Sequence, residues 1–256
     1  MNATLDTIHS LRTNHGRFSD RVVSEDDLAV ILEAATRAAN SSARQAYSVV
    51  VLDDGDRMAE LIGYRASHAL VFCVDFHRLE RLAVRLGRDF DDNNIIGFVT
   101  AAVDTSLAAQ TAVIAARSLG IDSLFNNGLR QNTAEAVHRE LGLPRTSVFP
   151  LITVMLGYPL DDEHAPRGRL PLDVVAHRGV YRELDDAALD GLIAAYDDPT
   201  QRLGIAGLWD PQVHAHYLDW FFEEWSGKPP ADRVPDGRVK QIQDWLVASG
   251  FWWPAR

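Results

Sequence analysis

Two segments near the N-terminus contain the residue types that bind a phosphate group. Residues 11–20 (Leu-Arg-Thr-Asn-His-Gly-Arg-Phe-Ser-Asp) and residues 38–45 (Ala-Ala-Asn-Ser-Ser-Ala-Arg-Gln) each place arginine among small hydrogen-bonding side chains. A phosphate dianion requires positive charge together with directed hydrogen-bond donors, and arginine with hydroxyl or amide groups provides both. Because the two segments bracket a helix, we expect the fold to bring both to one anionic ligand.

The sequence lacks the glycine loops that usually hold nucleotide phosphates. It contains no Walker loop, and no Gly-x-Gly-x-x-Gly follows any predicted strand. A nucleotide bound by this chain is therefore held by side chains rather than by a glycine-rich backbone.

The composition is that of a soluble globular protein with one large domain or two small ones. The 256 residues are 46% hydrophobic and 24% charged, which is enough apolar material for a sizeable core. The net charge of −11 argues against non-specific binding to nucleic acid, which needs a basic face. Local arginines can still form a positive pocket in an acidic protein. We therefore expect no nucleic-acid partner.

The single cysteine, Cys73, excludes an intrachain disulfide. It stands in the apolar run 69–74, where we expect a small core residue rather than a nucleophile. No cluster of cysteine and histidine has zinc spacing, so we expect no metal. The sequence shows no signal-peptide pattern, and we expect no apolar stretch of membrane-spanning length. These features predict a cytoplasmic protein without a membrane partner.

The pattern of apolar residues predicts few strands and many helices. The longest helix, residues 98–119, is apolar on most sides, so we expect it in the core or at a subunit interface, with Val103, Leu107 and Gln110 on one stripe. This order predicts an α+β sandwich of sheet and helices rather than an alternating doubly wound fold. Strands are predicted at 48–52, 69–76, 121–125 and 148–156, and the other main helices at 25–39, 57–62, 77–86, 133–141 and 185–196.

The C-terminal part of the chain is rich in tryptophan. All six tryptophans lie at positions 209, 220, 225, 245, 252 and 253. Such clustering predicts an arm that packs either on the core of its own chain or on a partner subunit. We expect a core at residues 1–185 and a helical, Trp-rich extension at residues 186–256.

Four landmarks, in order along the chain, resemble the FMN-dependent nitroreductase family. The resemblance is strongest to its longer, C-terminally extended members that use NADPH. A basic segment, Arg167-Gly168-Arg169-Leu170-Pro171, follows where the family has a phosphate-contacting loop. The landmarks are Arg12-Thr13-Asn14-His15-Gly16-Arg17-Phe18, Ser41-Ser42-Ala43-Arg44-Gln45, the helix from Asp104-Thr105 through Gln110 to Leu119-Gly120, and Leu143-Pro144 to Leu156-Gly157-Tyr158-Pro159.

The resemblance implies a nitroreductase-like central sheet flanked by helices, with FMN at the interface of a homodimer. It implies an FMN-dependent NAD(P)H oxidoreductase, with NADPH or NADH as donor. A nitroaromatic, quinone or flavin would be the small-molecule electron acceptor, in a ping-pong hydride transfer. No side-chain acid or base is required, so we assign none.

The resemblance also implies which residues contact FMN. Ser41, Ser42 and Gln45 approach from the partner subunit. The loop after the third strand passes the reactive face of the flavin, with a backbone N–H toward the central ring nitrogen. Surface salt bridges for the arginines, a helix C-terminal turn at Ser41 and Ser42, and a plain Asn-Gly turn in the loop are the alternatives. The remaining expected contacts are Arg12, Thr13, Asn14, His15 and Gly16 from the first landmark, Phe125, Asn126, Asn127 and Gly128 from the loop, and Arg167 and Arg169 at the phosphate.

Three features depart from the family pattern. Gly16 stands where relatives carry a second arginine or lysine. The region 63–67 is short and lacks a flavin-contacting glutamine, for which Arg65 is a substitute. The arm after residue 200 matches the family poorly, so the choice between NADPH and NADH stays open. In the loop, Asn126 and Asn127 also stand where the family commonly has glycines, and asparagine tolerates the left-handed backbone of such a turn. These departures keep three alternatives open: a flavoenzyme dedicated to one metabolite (a dehalogenase or dehydrogenase), a non-catalytic flavin-binding protein, and a helical interaction protein.

Overall fold

A computed structural model describes residues 2–161, 166–205, 207, 209–226 and 237–252, with the side chains of 237–239 left out. The chain forms two compact units, one of residues 1–164 with 237–256 and one of residues 165–236. The second unit thus begins at residue 165 rather than at the expected residue 186, and the last helix groups with the first unit. The division into an FMN-binding core at 1–185 and an extension at 186–256 stays a prediction.

The first unit is built on a four-stranded antiparallel sheet. Its strands are β1 (Tyr47–Leu52), β2 (His68–Asp75), β3 (Asp122–Asn126) and β4 (Val148–Gly157), in the order β1-β2-β4-β3. All four strand predictions are confirmed. Alternate residues of a strand point to opposite faces, and the cores follow this rule. On β2, Val71 and Cys73 belong to one buried cluster, and Leu70 and Phe72 belong to the other.

Helices cover both faces of the sheet. Ser24 caps α2 through a hydrogen bond that its Oγ accepts from the Asp27 N–H (3.1 Å), as the acidic first turn predicts. The bounds are α1 Ala3–His9, α2 Glu25–Thr36, α3 Gly55–Ile62, α4 His77–Arg85, α5 Ile95–Ser118, α6 Ala134–Leu141, α7 Leu172–Val175, α8 Asp186–Asp197, α9 Tyr217–Trp220 and α10 Gly237–Ala248.

The central helix α5 has a small-residue face and a larger apolar face. Ala108, Ala109, Ala112 and Ala116 are fully buried against α2, β2 and β4. On the other side Val99, Val103 and Leu107 are between 42% and 57% exposed. One side of the helix thus lies in the core, as expected, while its place at a subunit interface stays a prediction.

The same helix corrects one expectation from the sequence. An 18-residue stretch of this 24-residue helix has a mean hydropathy of 1.4, so by length and composition the helix is sufficient to cross a membrane. Core helices of soluble proteins satisfy the same criterion, and 39% of this stretch is buried inside the protein. The cytoplasmic location stays a prediction.

The second unit is organised around Tyr217. The ring of Tyr217 stacks on Tyr196 with centroids 5.6 Å apart, and its hydroxyl accepts a hydrogen bond from the Ile205 N–H (3.0 Å). Asp197, at the end of α8, accepts from the Tyr217 N–H (2.7 Å) and contacts His216 Nδ1 (2.7 Å). The hydrogen bond with Asp197 raises the pKa of His216.

Part of the Trp-rich C-terminal segment packs on the core of its own chain. Trp245 on α10 is 1% exposed, and its ring meets Phe149 of β4 edge to face at 5.8 Å. Phe251 follows it into the same buried cluster. Trp225 is 60% exposed within the second unit, and Trp253 lies outside the described residues.

Trp245→Ala should lower the free energy of unfolding of the first unit by about 3–5 kcal/mol, the usual loss for a buried tryptophan. Trp252→Ala removes a partly exposed ring from the same segment and should lower it by less than about 1.5 kcal/mol. Urea unfolding followed by far-ultraviolet circular dichroism measures both variants. Equal, small losses would contradict the placement of α10 in the core.

Candidate functional site

The first predicted segment runs beside the edge strand β3. Thr13 forms a parallel β-bridge with Ser123, and the Asn14 N–H donates to the Ser123 carbonyl oxygen (3.0 Å). The Asn14 side chain is buried, and its amide closes the turn by donating to the Arg17 carbonyl (3.0 Å) and accepting from the Arg17 N–H (2.9 Å). Thr13 and His15 are exposed. The backbone of this segment is thus fixed, while two of its polar side chains face outward.

Arg12 is held by a buried carboxylate that the sequence analysis missed. Its Nε lies 2.9 Å from Asp122, whose side chain is fully buried, and Arg117 Nη1 lies 2.8 Å from the other oxygen of Asp122. Arg117 Nε also donates to Ser10 Oγ (3.0 Å). Two guanidinium groups thus share one buried carboxylate beside the segment. Arg12 therefore forms a salt bridge, but a buried one rather than the surface bridge of the alternative. Contact of Arg12 with a ligand stays a prediction.

A short turn, residues 62–64, links the first segment to the loop after β3. Gly16 has a φ of +76°, and a Cβ there would lie 2.8 Å from the Tyr64 ring. A Cβ at Gly128 would overlap the carbonyl oxygen of Ile62. Both glycines are required by close approach to this turn, so the fold brings the first segment and the loop to the same neighbourhood.

The loop itself is closed by a side chain. Asn126 Oδ1 accepts a hydrogen bond from the Gly128 N–H, and the Arg130 N–H donates to the Asn127 carbonyl (3.0 Å). Neither asparagine is among the residues of positive φ, and Asn127 has a φ of −114°. The expected left-handed backbone at these two positions is therefore wrong: the amide of Asn126 stabilises the turn instead.

An apolar groove of about 760 Å³ opens beside the loop. Phe125 and Asn127 lie on its wall with the outer face of α5 and residues of β4. Arg130 is the one charged residue among those that line it; its Nη2 donates to the Leu151 carbonyl (2.8 Å), and burial lowers its pKa. The sequence analysis did not single out Arg130, although it follows the Asn-Asn-Gly-Leu run directly. The other wall residues include Val99, Val103, Leu107, Gln110 and Ile152.

The second predicted segment is anchored to the middle of α5. The Ser41 N–H lies 3.0 Å from both carboxylate oxygens of Asp104. Arg44 pairs with Asp92 at 2.6 Å, and Gln45 Nε2 lies 3.4 Å from the Thr36 carbonyl. The sequence analysis placed Asp104 in a landmark but gave it no role.

One chain does not bring both segments to one anion. Ser41 meets α5 at Asp104, and the Arg12 cluster meets it at Arg117, thirteen residues further on. At 1.5 Å per residue, the two anchors lie about 20 Å apart along the helix, far more than the width of a phosphate group. The expectation that both segments reach one anionic group within a single chain is corrected on this ground.

The basic segment lies in the second unit and uses its arginines on nearby carbonyls. Arg167 donates to the Gly204 carbonyl, and Arg169 Nη1 donates to the Gly168 carbonyl (2.9 Å). The Gly168 N–H donates to the Arg202 carbonyl (3.1 Å). Both predicted arginines are exposed. Among the residues that the structure describes, no three histidine, cysteine, aspartate or glutamate side chains lie close enough to hold a metal.

Comparison of the sequence with known proteins identifies the family of this chain. The model of the nitroreductase family matches residues 62–158, which hold β2 to β4 and α5. An NADPH-flavin oxidoreductase of Vibrio harveyi is 33% identical over 209 residues, which are 78% of this chain and 82% of the relative. This chain belongs to the nitroreductase family.

Two further proteins are similar to this chain over most of its length. An FMN reductase (NADPH) of Bacillus subtilis is 30% identical over 71% of this chain and 75% of its own. The structure of an NADPH:FMN oxidoreductase of Vibrio harveyi complexed with NAD+ superposes with a TM-score of 0.77 at 26% identity, covering 98% of this chain and 99% of the other. The family and the α+β fold predicted from the sequence are confirmed.

The structure explains why this chain departs from the family pattern at Gly16. Where the resemblance expects a second cation, this chain places the Tyr64 ring against a glycine in left-handed conformation. A side chain at position 16 is therefore opposed twice, by its backbone and by the ring. The local positive charge comes from Arg12 and Arg117 instead.

Gly16→Ala should lower the free energy of unfolding by about 1–3 kcal/mol, since it adds a clash with Tyr64 to the usual left-handed penalty. Gly63→Ala is the matched control: Gly63 also has a positive φ (+85°), but a Cβ there meets nothing within 4 Å. Chemical denaturation should therefore find Gly16→Ala the less stable of the two, and Tyr64→Ala should remove the difference. Equal stabilities would show that Tyr64 does not restrict position 16.

Proposed function

We propose that this chain binds FMN and uses NADPH or NADH to reduce a small-molecule electron acceptor. The observation that carries the proposal is an apolar groove with Phe125 and Asn127 of the 125–128 loop on its wall. The turn at 62–64 packs against both Gly128 of this loop and Gly16 of the first segment. The names of the relatives, an NADPH-flavin oxidoreductase and an FMN reductase, support the same activity. Nitroaromatics, quinones and flavins are the proposed acceptors.

The residues present fit FMN. The Arg12–Arg117–Asp122 cluster places two guanidinium groups beside the first segment, and Thr13 and His15 add exposed hydrogen-bonding side chains. The contacts of Arg167 and Arg169 with the phosphate, which the family resemblance implies, stay a prediction. The apolar wall of the groove suits a flat aromatic ring system. When bound, FMN supplies the capacity to accept a hydride and pass it on.

The protein contributes orientation and exclusion of water. Phe125 and the outer face of α5 form the apolar wall of the groove, which would keep bulk water from a flavin ring bound there. Because the Gly128 N–H is engaged by Asn126, the backbone donor expected at the ring nitrogen is that of Asn126 or Asn127. Arg130 brings a fixed positive charge to the groove, where donor and acceptor bind in turn under the proposed ping-pong scheme.

A homodimer would complete this site. Val99, Val103 and Leu107 expose a continuous apolar stripe on α5, and Phe125 extends it. A second copy seated on this stripe would remove it from water and bring its own 41–45 segment, which the first chain holds too far from Arg12. Ser41, Ser42 and Gln45 would then reach the flavin from the partner, in a cytoplasmic enzyme.

One alternative keeps a specific observation in its favour. A non-catalytic flavin-binding protein fits the replacement of a cation by Tyr64 at Gly16 and the two asparagines in the loop. Such a protein would bind FMN but would not accept electrons from a nicotinamide.

The purified protein should be yellow or take up added FMN, and anaerobic NADPH or NADH should bleach its long-wavelength absorbance band. Admitting a quinone or nitroaromatic should restore the band with turnover. Bound FMN that does not bleach would favour the non-catalytic alternative. A colourless protein that refuses FMN would overturn the proposed function, and a response to one acceptor only would indicate a dedicated flavoenzyme.

In light scattering at micromolar concentration the protein should have twice the mass of its 28.4 kDa chain. Leu107→Arg places a charge on the apolar stripe and should give a monomer with little FMN affinity, because a buried unpaired charge is strongly unfavourable. Leu86→Arg makes the same change at an exposed residue after α4 and should leave both properties unchanged. A wild-type monomer that binds FMN fully would contradict the shared site.

A further inference from the structure

Asp104 is a buried acid in the middle of an apolar helix. It is 3% exposed and is the single carboxylate in the 24 residues of α5. Removing a carboxylate from water is unfavourable unless hydrogen bonds replace the lost hydration. Both oxygens of Asp104 lie 3.0 Å from the Ser41 N–H. The carboxylate therefore faces the 41–45 segment, away from the groove on the other side of α5.

The segment that Asp104 holds is strained. Ser42, Ala43 and Gln45 have φ values of 54°, 54° and 46°, a left-handed conformation that favours glycine. Other contacts also help to fix it: Asn40 Oδ1 accepts from the Gln45 N–H (3.1 Å), Arg44 pairs with Asp92, and Arg78 Nη2 donates to the Gln45 carbonyl. Such a conformation persists only where the surroundings hold it, and Asp104 is the contact that ties it to α5.

We propose that Asp104 is a positioning residue that keeps the 41–45 segment in its strained form, ready to present Ser41, Ser42 and Gln45 to the flavin of the partner subunit. The identity of the ligand rests on the proposed function, whereas the anchoring does not. A segment fixed before binding loses less conformational entropy when the ligand arrives, so the anchor increases affinity without touching the ligand.

Three variants separate positioning from general stability. Asp104→Leu removes both acceptor oxygens but fills an apolar site, so the thermal unfolding midpoint should stay unchanged or rise. Amide exchange of residues 41–45 in flavin-free protein should become faster, and FMN should bind at least about tenfold more weakly. Asp104→Asn keeps one acceptor oxygen and should bind FMN within about threefold of wild type. Thr105→Val, the control, alters a buried hydroxyl that donates to Ala101 on the same helix and should change neither exchange nor affinity.

A second pair of variants tests the donor side of the contact. Ser41→Pro removes the N–H at the first position of its short helix, where proline is tolerated, and should reproduce the effect of Asp104→Leu. Ser41→Ala keeps the N–H and should leave the exchange of 42–45 slow. The double variant Asp104→Leu/Ser41→Pro should bind FMN no more weakly than Ser41→Pro alone, because both changes remove the same hydrogen bond between the Ser41 N–H and Asp104.

The outcomes distinguish the two proposals. Unchanged exchange of 41–45 in Asp104→Leu and Ser41→Pro, or a loss of affinity that follows a lowered unfolding midpoint or recurs in Thr105→Val, would overturn the positioning role. If Asp104→Leu fails to fold, Ser41→Pro gives the same decision, with Ser41→Ala as its control. A wild-type protein that does not bind FMN would refute the proposed function, while the exchange measurements would still test the anchor.

Discussion

The structure depends on how α5 divides its surface. Its alanines are packed against α2 and the sheet, where a larger side chain would lower the free energy of unfolding by about 1–3 kcal/mol. That contact fixes the rotation of the helix about its own axis, and the rotation decides which of its other side chains are exposed and which are buried. Val99, Val103 and Leu107 must face outward, while Asp104 is buried on the opposite side and Arg117, near the end of the helix, is partly buried. The groove and both anchors are thus consequences of one packing arrangement.

The two polar segments near the N-terminus are both held by a charged group. Asp104 and Asp122 are both buried carboxylates, and each holds one of the polar segments near the N-terminus. A buried charge is stable only when its partners are present, so each carboxylate makes the position of its segment depend on the core. Apolar contacts would tolerate small slips of a loop, whereas hydrogen bonds to a fixed carboxylate do not. Polar segments placed in this way suit a site that must hold a ligand in a defined orientation.

The sequence predicts the elements of this fold well because they depend on local pattern. Apolar runs identify all four strands, and Ser24 with the acids that follow it identifies the start of α2. It predicts less of the site, because the partners there are distant in sequence. Arg12 and Asp122 are 110 residues apart, and no pattern around Arg12 indicates that its guanidinium is already paired. Gly16 is recognisable as a departure, but only the fold shows that Tyr64 fills the space.

The two polar segments solve the problem of left-handed backbone in opposite ways. At Gly16 the chain uses the residue that adopts such a φ without strain, and it gives up a side chain there, so this position contributes only shape. At Ser42, Ala43 and Gln45 it keeps side chains despite the strain, although glycine would relieve it. Strain that glycine would remove is retained where the side chains, or the rigidity that they impose, are needed. The second segment therefore carries contacts as well as shape, and a buried carboxylate behind it is the support that such a conformation requires.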